Sequence, residues 1–266
     1  GGAEDAARRA AEKGMNVFVL GIGTDKGGRI PVGGNGEYMR DASGYQVLSK
    51  LNESMARSIA EAIEGGGRVL EVGCGTGVLT QFLLGRDDLV TWGAEIDTES
   101  VDYLHVHYPE FTPRLMEGDF LQMNLAELFP DGVKVIGNFP YNISSQIFFK
   151  VIENRDIVPE CVGMIQREVA VRIAEPPGSR EYGILSVLLQ AWYDIEYLFT
   201  VGEKVFNPPP KVKSAVVRLV RNNVDHLDCD EALFIKVVKA SFGQRRKTLR
   251  NSLRGLLPPD VPLPDN

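Results

Sequence analysis

The chain has 266 residues, 44% of them hydrophobic and 24% charged, with a formal net charge of −7. This composition supports one large or two modest globular domains and excludes a disordered or collagen-like chain. The apolar runs are shorter than the roughly 20 residues of a membrane-spanning helix, and no signal segment opens the sequence. The 3 cysteines are far apart and lack metal-ligand spacing. We therefore expect a reduced, cytoplasmic protein without a membrane segment or a bound metal.

Strand and helix patterns alternate from residue 54 onward. Apolar periodicity predicts helices at 54–64 and 77–84, a third helix ending at Tyr108, and helical structure across 231–252. Short apolar runs predict strands at 68–72, 89–95, 114–117, 133–136, 161–166, 192–199 and 214–220. This alternation predicts an α/β fold with parallel βαβ units in a doubly wound sheet. The last two strands are expected to form an antiparallel pair at the sheet edge, followed by a small helical appendage.

Charge is concentrated in that appendage. Residues 232–257 contain seven basic side chains and no acidic one, on a chain that is acidic as a whole. Such a block favours contact with nucleic-acid phosphates, and the alternative interpretation is a helix face that meets only solvent.

A glycine-rich turn follows the first of these strands, in the order Glu71-Val72-Gly73-Cys74-Gly75-Thr76-Gly77. Glycines there let the backbone approach a ligand at a helix N-terminus, although a tight turn without a ligand is the alternative. The spacing differs from the G-x-G-x-x-G of dinucleotide-binding proteins, which disfavours a dehydrogenase. Glu71 is expected to face a positively charged ligand or a ribose.

Acidic residues end the next two strands. Glu95 can accept hydrogen bonds from both hydroxyls of a ribose, while Asp97 is expected to be a helix N-cap. Asp119 can accept from an exocyclic amine while its apolar neighbour Phe120 covers a purine. Each of these residues could instead be a turn or cap, but the carboxyl ends of parallel strands meet at one crevice.

The fourth motif, Asn138-Phe139-Pro140-Tyr141, follows the fourth strand. The order of the four motifs resembles the S-adenosylmethionine-dependent N6-adenine methyltransferases. Segments 206–217 and 242–253 narrow the resemblance to the small-subunit ribosomal RNA adenine N6,N6-dimethyltransferases, the kasugamycin-resistance methyltransferase family, over residues 54–257.

This resemblance implies a Rossmann-like, seven-stranded methyltransferase domain at 54–222 and a small helical RNA-binding domain at 223–266, which we expect to be cut short. It implies S-adenosylmethionine as cofactor and the N6 atoms of two adjacent adenines in a small-subunit ribosomal RNA hairpin as target. A pre-30S particle is the implied partner of a monomeric enzyme that acts in ribosome biogenesis. The alternatives are a large-subunit ribosomal RNA adenine methyltransferase and a non-catalytic ribosome-assembly factor that retains the fold.

The chemistry of adenine N6 suits the fourth motif. The N6 lone pair is delocalised into the ring, which makes this nitrogen a poor nucleophile. The Asn138 side-chain oxygen and the Pro140 carbonyl could accept the two N6 hydrogens and thereby direct the lone pair at the methyl group. Tyr141 offers a stacking face for the extruded base, and the resemblance adds Phe206 as a second stacking aromatic. Catalysis by positioning needs no general base.

Two further sets of contacts complete the predicted site. The cofactor contacts are assigned to Glu71, Gly73, Gly75, Gly77, Glu95, Ile96, Asp119, Phe120 and Asn138. The RNA contacts are assigned to Lys211, Lys213, Gln244, Arg245, Arg246, Lys247 and Arg250.

The N-terminal segment departs from the family, whose opening glycine–glutamine–x–phenylalanine–leucine motif we do not find. Residues 11–52 instead resemble a fragment of a von Willebrand A-type domain, and residues 1–53 are interpreted as a foreign segment without an assigned function. A complete seven-stranded sheet leaves no obvious partner edge for this segment. We therefore expect it to pack loosely or to stay disordered, away from the cofactor crevice.

Overall fold

The structure is a computed structural model that describes residues 28–29, 48–51, 53–202, 206–207, 212–244 and 247–256. Most of the N-terminal segment, the proline corner at 208–210, Lys211, Arg245 and Arg246 lie outside the described residues. Within the described part of the chain, no helix is long and apolar enough to cross a membrane.

Ten strands lie in the described part of the chain, and seven of them form the central sheet. The bounds of these seven are Gly67–Val72 (β3), Leu89–Glu95 (β4), Leu115–Glu117 (β5), Lys134–Asn138 (β6), Glu160–Gln166 (β7), Tyr193–Val201 (β8) and Ser214–Arg221 (β10). Their order in the sheet is β5-β4-β3-β6-β7-β10-β8. The first five strands of this order are parallel, whereas β10 is antiparallel to both β7 and β8. The predicted seven-stranded α/β sheet with an antiparallel edge pair is confirmed.

Nine α-helices lie in the same described ranges. They are Glu53–Glu61 (α1), Thr80–Leu84 (α2), Thr98–His107 (α3), Leu125–Leu128 (α4), Ser144–Glu153 (α5), Arg167–Ala174 (α6), Ile184–Gln190 (α7), Glu231–Gly243 (α8) and Leu249–Leu253 (α9). Helix α2 begins three residues later than predicted, because the glycine turn extends through Gly77 with a positive φ. The helical structure predicted across 231–252 consists of two helices, separated at Gln244, whose carbonyl accepts from the Lys247 N–H.

Adjacent residues of the central strands face opposite sides of the sheet. Leu70 and Val217 belong to a hydrophobic cluster on one face, whereas their neighbours Val69 and Val216 belong to a cluster on the other. Helices α5 and α7 contribute to the first cluster, and α1 and α2 to the second. A sheet covered on both faces requires continuous apolar strands, which explains why the runs read from the sequence are not alternating.

A second sheet joins the N-terminal region to the rest of the protein. Its strands are Gly28–Arg29 (β1), Leu48–Leu51 (β2) and Phe206–Asn207 (β9), in the order β1-β2-β9. Strand β2 pairs antiparallel with β9, with Leu51 opposite Phe206. The expectation that nothing after residue 54 offers a partner edge is therefore wrong. The partner is a short strand between β8 and β10 that lies outside the main sheet, so its backbone groups are available for pairing.

Candidate active site

The topology places a crevice at the carboxyl end of β3. This strand pairs with β4 on one side and with β6 on the other, so the direction of the strand order reverses here. In open α/β sheets, ligands bind outside the carboxyl ends of the strands at such a switch point. Glu95 and Asn138 are the last residues of β4 and β6, and the glycine turn and Gly118-Asp119 follow β3 and β5, so all of them lie at the crevice.

The glycine turn has the backbone conformation that close approach to a ligand requires. Gly73, Gly75 and Gly77 have φ values of 73°, 53° and 87°, which side chains disfavour. A Cβ added at Gly73 would meet nothing within 4 Å, so its backbone borders open space. The buried hydroxyl of Thr76 has no hydrogen-bond partner among the described residues. An open backbone and an unsatisfied polar atom both fit a bound polar ligand.

Glu95 connects the end of β4 to the glycine turn through hydrogen bonds. Its carboxylate is 4% exposed and accepts from the backbone N–H groups of Gly75, Ile96 and Asp97 at 2.7, 2.8 and 2.9 Å. Burial raises its pKa, and the three donors act in the opposite direction. Its Oε2 atom accepts only from Gly75 among the described residues, so it keeps capacity for a ligand hydroxyl.

Next to this carboxylate, the apolar side chain of Ile96 is 66% exposed. An uncovered apolar surface beside a hydroxyl acceptor suits the flat face and the ribose of an adenosine. These residues therefore fit S-adenosylmethionine, and the contact of Glu95 and Ile96 with it stays a prediction.

Glu71 has a different environment from the one expected. Its side chain is 1% exposed and accepts a hydrogen bond of 2.6 Å from the Thr80 hydroxyl. Burial raises the pKa of Glu71 to about 8, with the Thr80 bond opposing the shift and the Glu95 carboxylate adding to it. The carboxyl group is thus enclosed beside the turn and does not face outward, and its contact with the cofactor stays a prediction.

The end of β5 is joined to β4 by a hydrogen bond from the Gly118 N–H to the Glu95 carbonyl, at 2.8 Å. Asp119 accepts from the Leu121 N–H at 2.9 Å, and Phe120 is 4% exposed. Asp97 accepts from the Ser100 N–H at 3.0 Å and caps α3, which confirms its predicted capping role. Contact of Asp119 and Phe120 with the adenine base stays a prediction.

Phe139 anchors the turn that follows β6. Its N–H donates to the Met164 carbonyl on β7 at 3.0 Å, and its buried ring lies edge-on to Phe148 at 5.8 Å. A Cβ at Gly137 or Gly163 would lie 2.9 or 2.4 Å from this ring, so both strands need glycine here. Asn138, at the last position of β6, is therefore held at the crevice by its neighbour.

The second half of this turn is bonded to the antiparallel part of the sheet. The Pro140 carbonyl accepts from the Ile143 N–H at 3.1 Å, which leaves one lone pair for another donor. The hydroxyl groups of Tyr141 and Ser214 are hydrogen-bonded to each other, and burial raises the pKa of Tyr141. The Tyr141 ring is thus tethered to the start of β10.

The predicted RNA-contact residues are only partly within the described chain. Lys213, Gln244, Lys247 and Arg250 are exposed. Phe206 is described through the backbone of β9 alone, where it pairs with Leu51.

Sequence reasoning missed the polar partners inside the site. Thr80 and Ser214 orient Glu71 and Tyr141, and the sequence analysis gave neither residue a role in the site, although Ser214 lies within segment 206–217. Thr80 lies one helical turn beyond the glycine turn, which could have indicated it. The Ser214 contact depends on strand register, and the local sequence carries no signal for it.

Three features together define an S-adenosylmethionine-dependent methyltransferase. They are the seven-stranded sheet with this strand order, the glycine turn at the switch point and the carboxylate at the end of β4. The family model described as "Ribosomal RNA adenine dimethylase" matches residues 47–262. The chain belongs to the ribosomal RNA adenine dimethylase family.

Relatives from two bacteria support this assignment. "Ribosomal RNA small subunit methyltransferase A" of Bacteroides thetaiotaomicron is 62% identical over 200 residues, which cover 74% of this chain and 74% of the relative. The protein of the same name from Porphyromonas gingivalis is 61% identical over 225 residues, with 82% and 85% covered. The family match starts at residue 47 and thus includes β2, ahead of the boundary at residue 54. The von Willebrand-type likeness of residues 11–52 gains no support from these comparisons.

Solved structures show the same fold. A dimethyladenosine transferase from Plasmodium falciparum superimposes with a TM-score of 0.63 at 28% identity, covering 76% of this chain and 72% of that one. The 23S rRNA methyltransferase ErmE superimposes with a TM-score of 0.59 at 26% identity, with 77% and 83% covered.

Proposed function

We propose that this enzyme transfers methyl groups from S-adenosylmethionine to the N6 atoms of two adjacent adenines in a small-subunit ribosomal RNA hairpin. The observation that carries the proposal is the anchored Asn138-Phe139-Pro140-Tyr141 turn at the carboxyl end of β6, beside the crevice that fits the cofactor. The names of the relatives with about 60% identity support the small subunit as the target.

The residues of the turn would position the target amine. The cofactor supplies an electrophilic methyl group on a sulfonium. The Asn138 side-chain oxygen and the free lone pair of the Pro140 carbonyl accept the two N6 hydrogens, which directs the nitrogen lone pair outward. Tyr141, tethered through Ser214, stacks on the extruded base, and Phe206 supplies the second stacking face. Catalysis then rests on orientation and on preorganised acceptors.

The partner in the cell would be a pre-30S particle, on which the enzyme acts as a monomer in the cytoplasm. The reaction would then belong to the biogenesis of the small subunit. The exposed basic residues Lys247 and Arg250 support binding to the RNA of such a particle.

The test is transfer of labelled methyl groups from S-adenosylmethionine to small subunits that lack adenine dimethylation, followed by mapping of the modified bases. We expect dimethylated N6 at two neighbouring adenines of the small-subunit RNA. Label in large-subunit RNA alone would support the alternative that the ErmE likeness raises. Tight binding to the subunit without transfer would support the non-catalytic assembly factor.

Asn138→Ala provides the site-specific control for this assay. We expect methyl transfer to be lost while the dissociation constant for S-adenosylmethionine, measured by calorimetry, stays nearly unchanged. Asn154→Ala removes an equivalent amide at the end of α5, away from the crevice, and should leave transfer intact. Loss of cofactor binding in Asn138→Ala would contradict the assigned role.

A further inference from the structure

Two cationic residues meet at the junction of β7 and β10. Arg167 is the first residue of α6, directly after β7, and Lys213 directly precedes β10. The Arg167 N–H donates to the Lys213 carbonyl at 2.8 Å, which joins the two backbones. Both residues are exposed. Sequence reasoning assigned Lys213 to RNA contact, but Arg167 had no assigned role.

This junction borders the proposed pocket for the target adenine. Ser214, the neighbour of Lys213, stands opposite Gln166 in the β7–β10 register, and its hydroxyl is bonded to that of Tyr141. Arg167 and Lys213 are therefore each one residue away from the strand pair that tethers the stacking tyrosine. The backbone of the two cationic residues thus lies at the carboxyl end of β7 and the start of β10, next to the residues that hold Tyr141.

The two side chains carry positive charges that no carboxylate in the described part of the chain pairs with. Among the described residues, Arg167 and Lys213 make no ion pair, whereas Arg68, Arg86 and Arg218 are each paired with a carboxylate. Two adjacent, exposed and unpaired cations at the rim of a pocket, on a chain of net charge −7, point to an anionic ligand.

We propose that Arg167 and Lys213 form a clamp that binds the RNA phosphates flanking the target adenosine. The proposal rests on the proposed function and assigns two positioning contacts to it. Extrusion of a base costs unstacking energy, which contacts to the flanking phosphates can offset, and guanidinium and ammonium groups are the usual phosphate ligands. These contacts would position the nucleotide without reading its base.

The experiment compares the double variant Arg167→Gln/Lys213→Gln with the wild type in binding to undermethylated small ribosomal subunits across a salt series. We expect affinity at low salt to fall about tenfold or more and the log–log salt slope to decrease by about 2, or about 1 per lost phosphate contact. The KM for the subunit should rise, while the dissociation constant for S-adenosylmethionine and the melting temperature should stay unchanged.

Two further variants separate a phosphate clamp from a general effect of surface charge. The charge-preserving exchange Arg167→Lys/Lys213→Arg should retain the wild-type salt slope. Arg68→Gln removes an exposed cation at the amino end of β3, the opposite edge of the sheet, and should leave binding unchanged. An unchanged salt slope in the double glutamine variant, or an equal loss in Arg68→Gln, would overturn the clamp. Failure of the wild type to methylate the subunit would instead refute the proposed function.

Discussion

Two buried carboxyl groups lie next to the glycine turn, and their surroundings differ. Glu95 accepts three backbone N–H groups, while Glu71 accepts one side-chain hydroxyl, from Thr80. Because Glu71 has fewer hydrogen-bond donors than Glu95, less of the free-energy cost of burying its negative charge is offset. The raised pKa of Glu71, about 8, means that this carboxyl is mainly protonated at neutral pH in the folded protein.

Glu71→Gln tests this difference through the pH dependence of stability. The folded pKa of about 8 lies above the ordinary value of 4.5, so between these values the folded state holds a proton that the unfolded state has released. The unfolding free energy of the wild type should therefore fall as pH rises through this window, by up to about 1.4 kcal/mol per pH unit from this group. Glutamine, which stays neutral, should remove that slope and make the variant more stable at pH 8 than the wild type.

The measurement is denaturant unfolding at about pH 5, 6, 7 and 8, which spans the window between the two pKa values. Glu117→Gln, which removes an exposed carboxylate at the end of β5, is the matched control. Parallel curves for the wild type and Glu71→Gln would show that the buried carboxyl has no raised pKa.

Gly73→Ala tests whether the open backbone of the turn is a cofactor contact. Gly67 is the control, because it also has a positive φ, 111°, and open space at its Cβ, but lies at the amino end of β3. Both alanine variants should lose about 1–2 kcal/mol of unfolding free energy through backbone strain. Only Gly73→Ala should weaken S-adenosylmethionine binding measured by calorimetry, and equal affinities in the two variants would contradict the assigned contact.

At the scale of elements, helix α8 is docked on the methyltransferase domain by charge and aromatic contacts. Arg155, which follows α5, pairs with Glu231 at the start of α8 at 2.5 Å, and its guanidinium lies 4.6 Å from the Trp192 ring centre. The ring of Phe234 on α8 lies edge-on to Trp192 at 6.0 Å. Both partners of the ion pair are largely shielded from solvent. These contacts hold the first turn of α8 against Trp192.

A double-mutant cycle of Arg155→Gln and Glu231→Gln measures this coupling. Because the pair is shielded, we expect a coupling energy of about 1–2 kcal/mol in urea unfolding. The exposed pair Arg68–Asp131 provides the reference cycle, with an expected coupling below about 0.5 kcal/mol. Additive effects at Arg155 and Glu231 would show that the ion pair does not hold α8.

At the scale of the whole molecule, the pairing of β2 with β9 links the chain before the first helix to Phe206. Removal of residues 1–46 retains β2, whereas removal of residues 1–52 leaves β9 without it. We expect the shorter truncation to keep methyl transfer near the wild-type rate and the longer one to lose about tenfold or more, because a misplaced stacking residue disturbs orientation. Rates are compared at saturating S-adenosylmethionine. Equal rates for the two truncations would contradict a role of β2 in the site.

The order of the motifs was readable from the sequence because each motif is local. The glycine turn, Glu95, Gly118-Asp119 and Asn138 each follow an apolar run, and parallel strands bring their carboxyl ends to one edge. One predicted helix boundary, the start of α2, was wrong by three residues. The late start of α2 reflects the positive φ of Gly77, which keeps the residues before Thr80 in the turn.

The class of fold, the family and the order of the motifs along the strand ends were therefore determined by the sequence itself. Only the tertiary structure decided which polar groups are paired within it. The Tyr141–Ser214 and Arg155–Glu231 contacts join residues 73 and 76 positions apart, and the β2–β9 pairing joins residues 48–51 to residues 206–207. Such contacts depend on strand register and on helix docking, which follow from the packing of the whole core. The protonation of Glu71 has the same origin, because burial is a property of the folded chain.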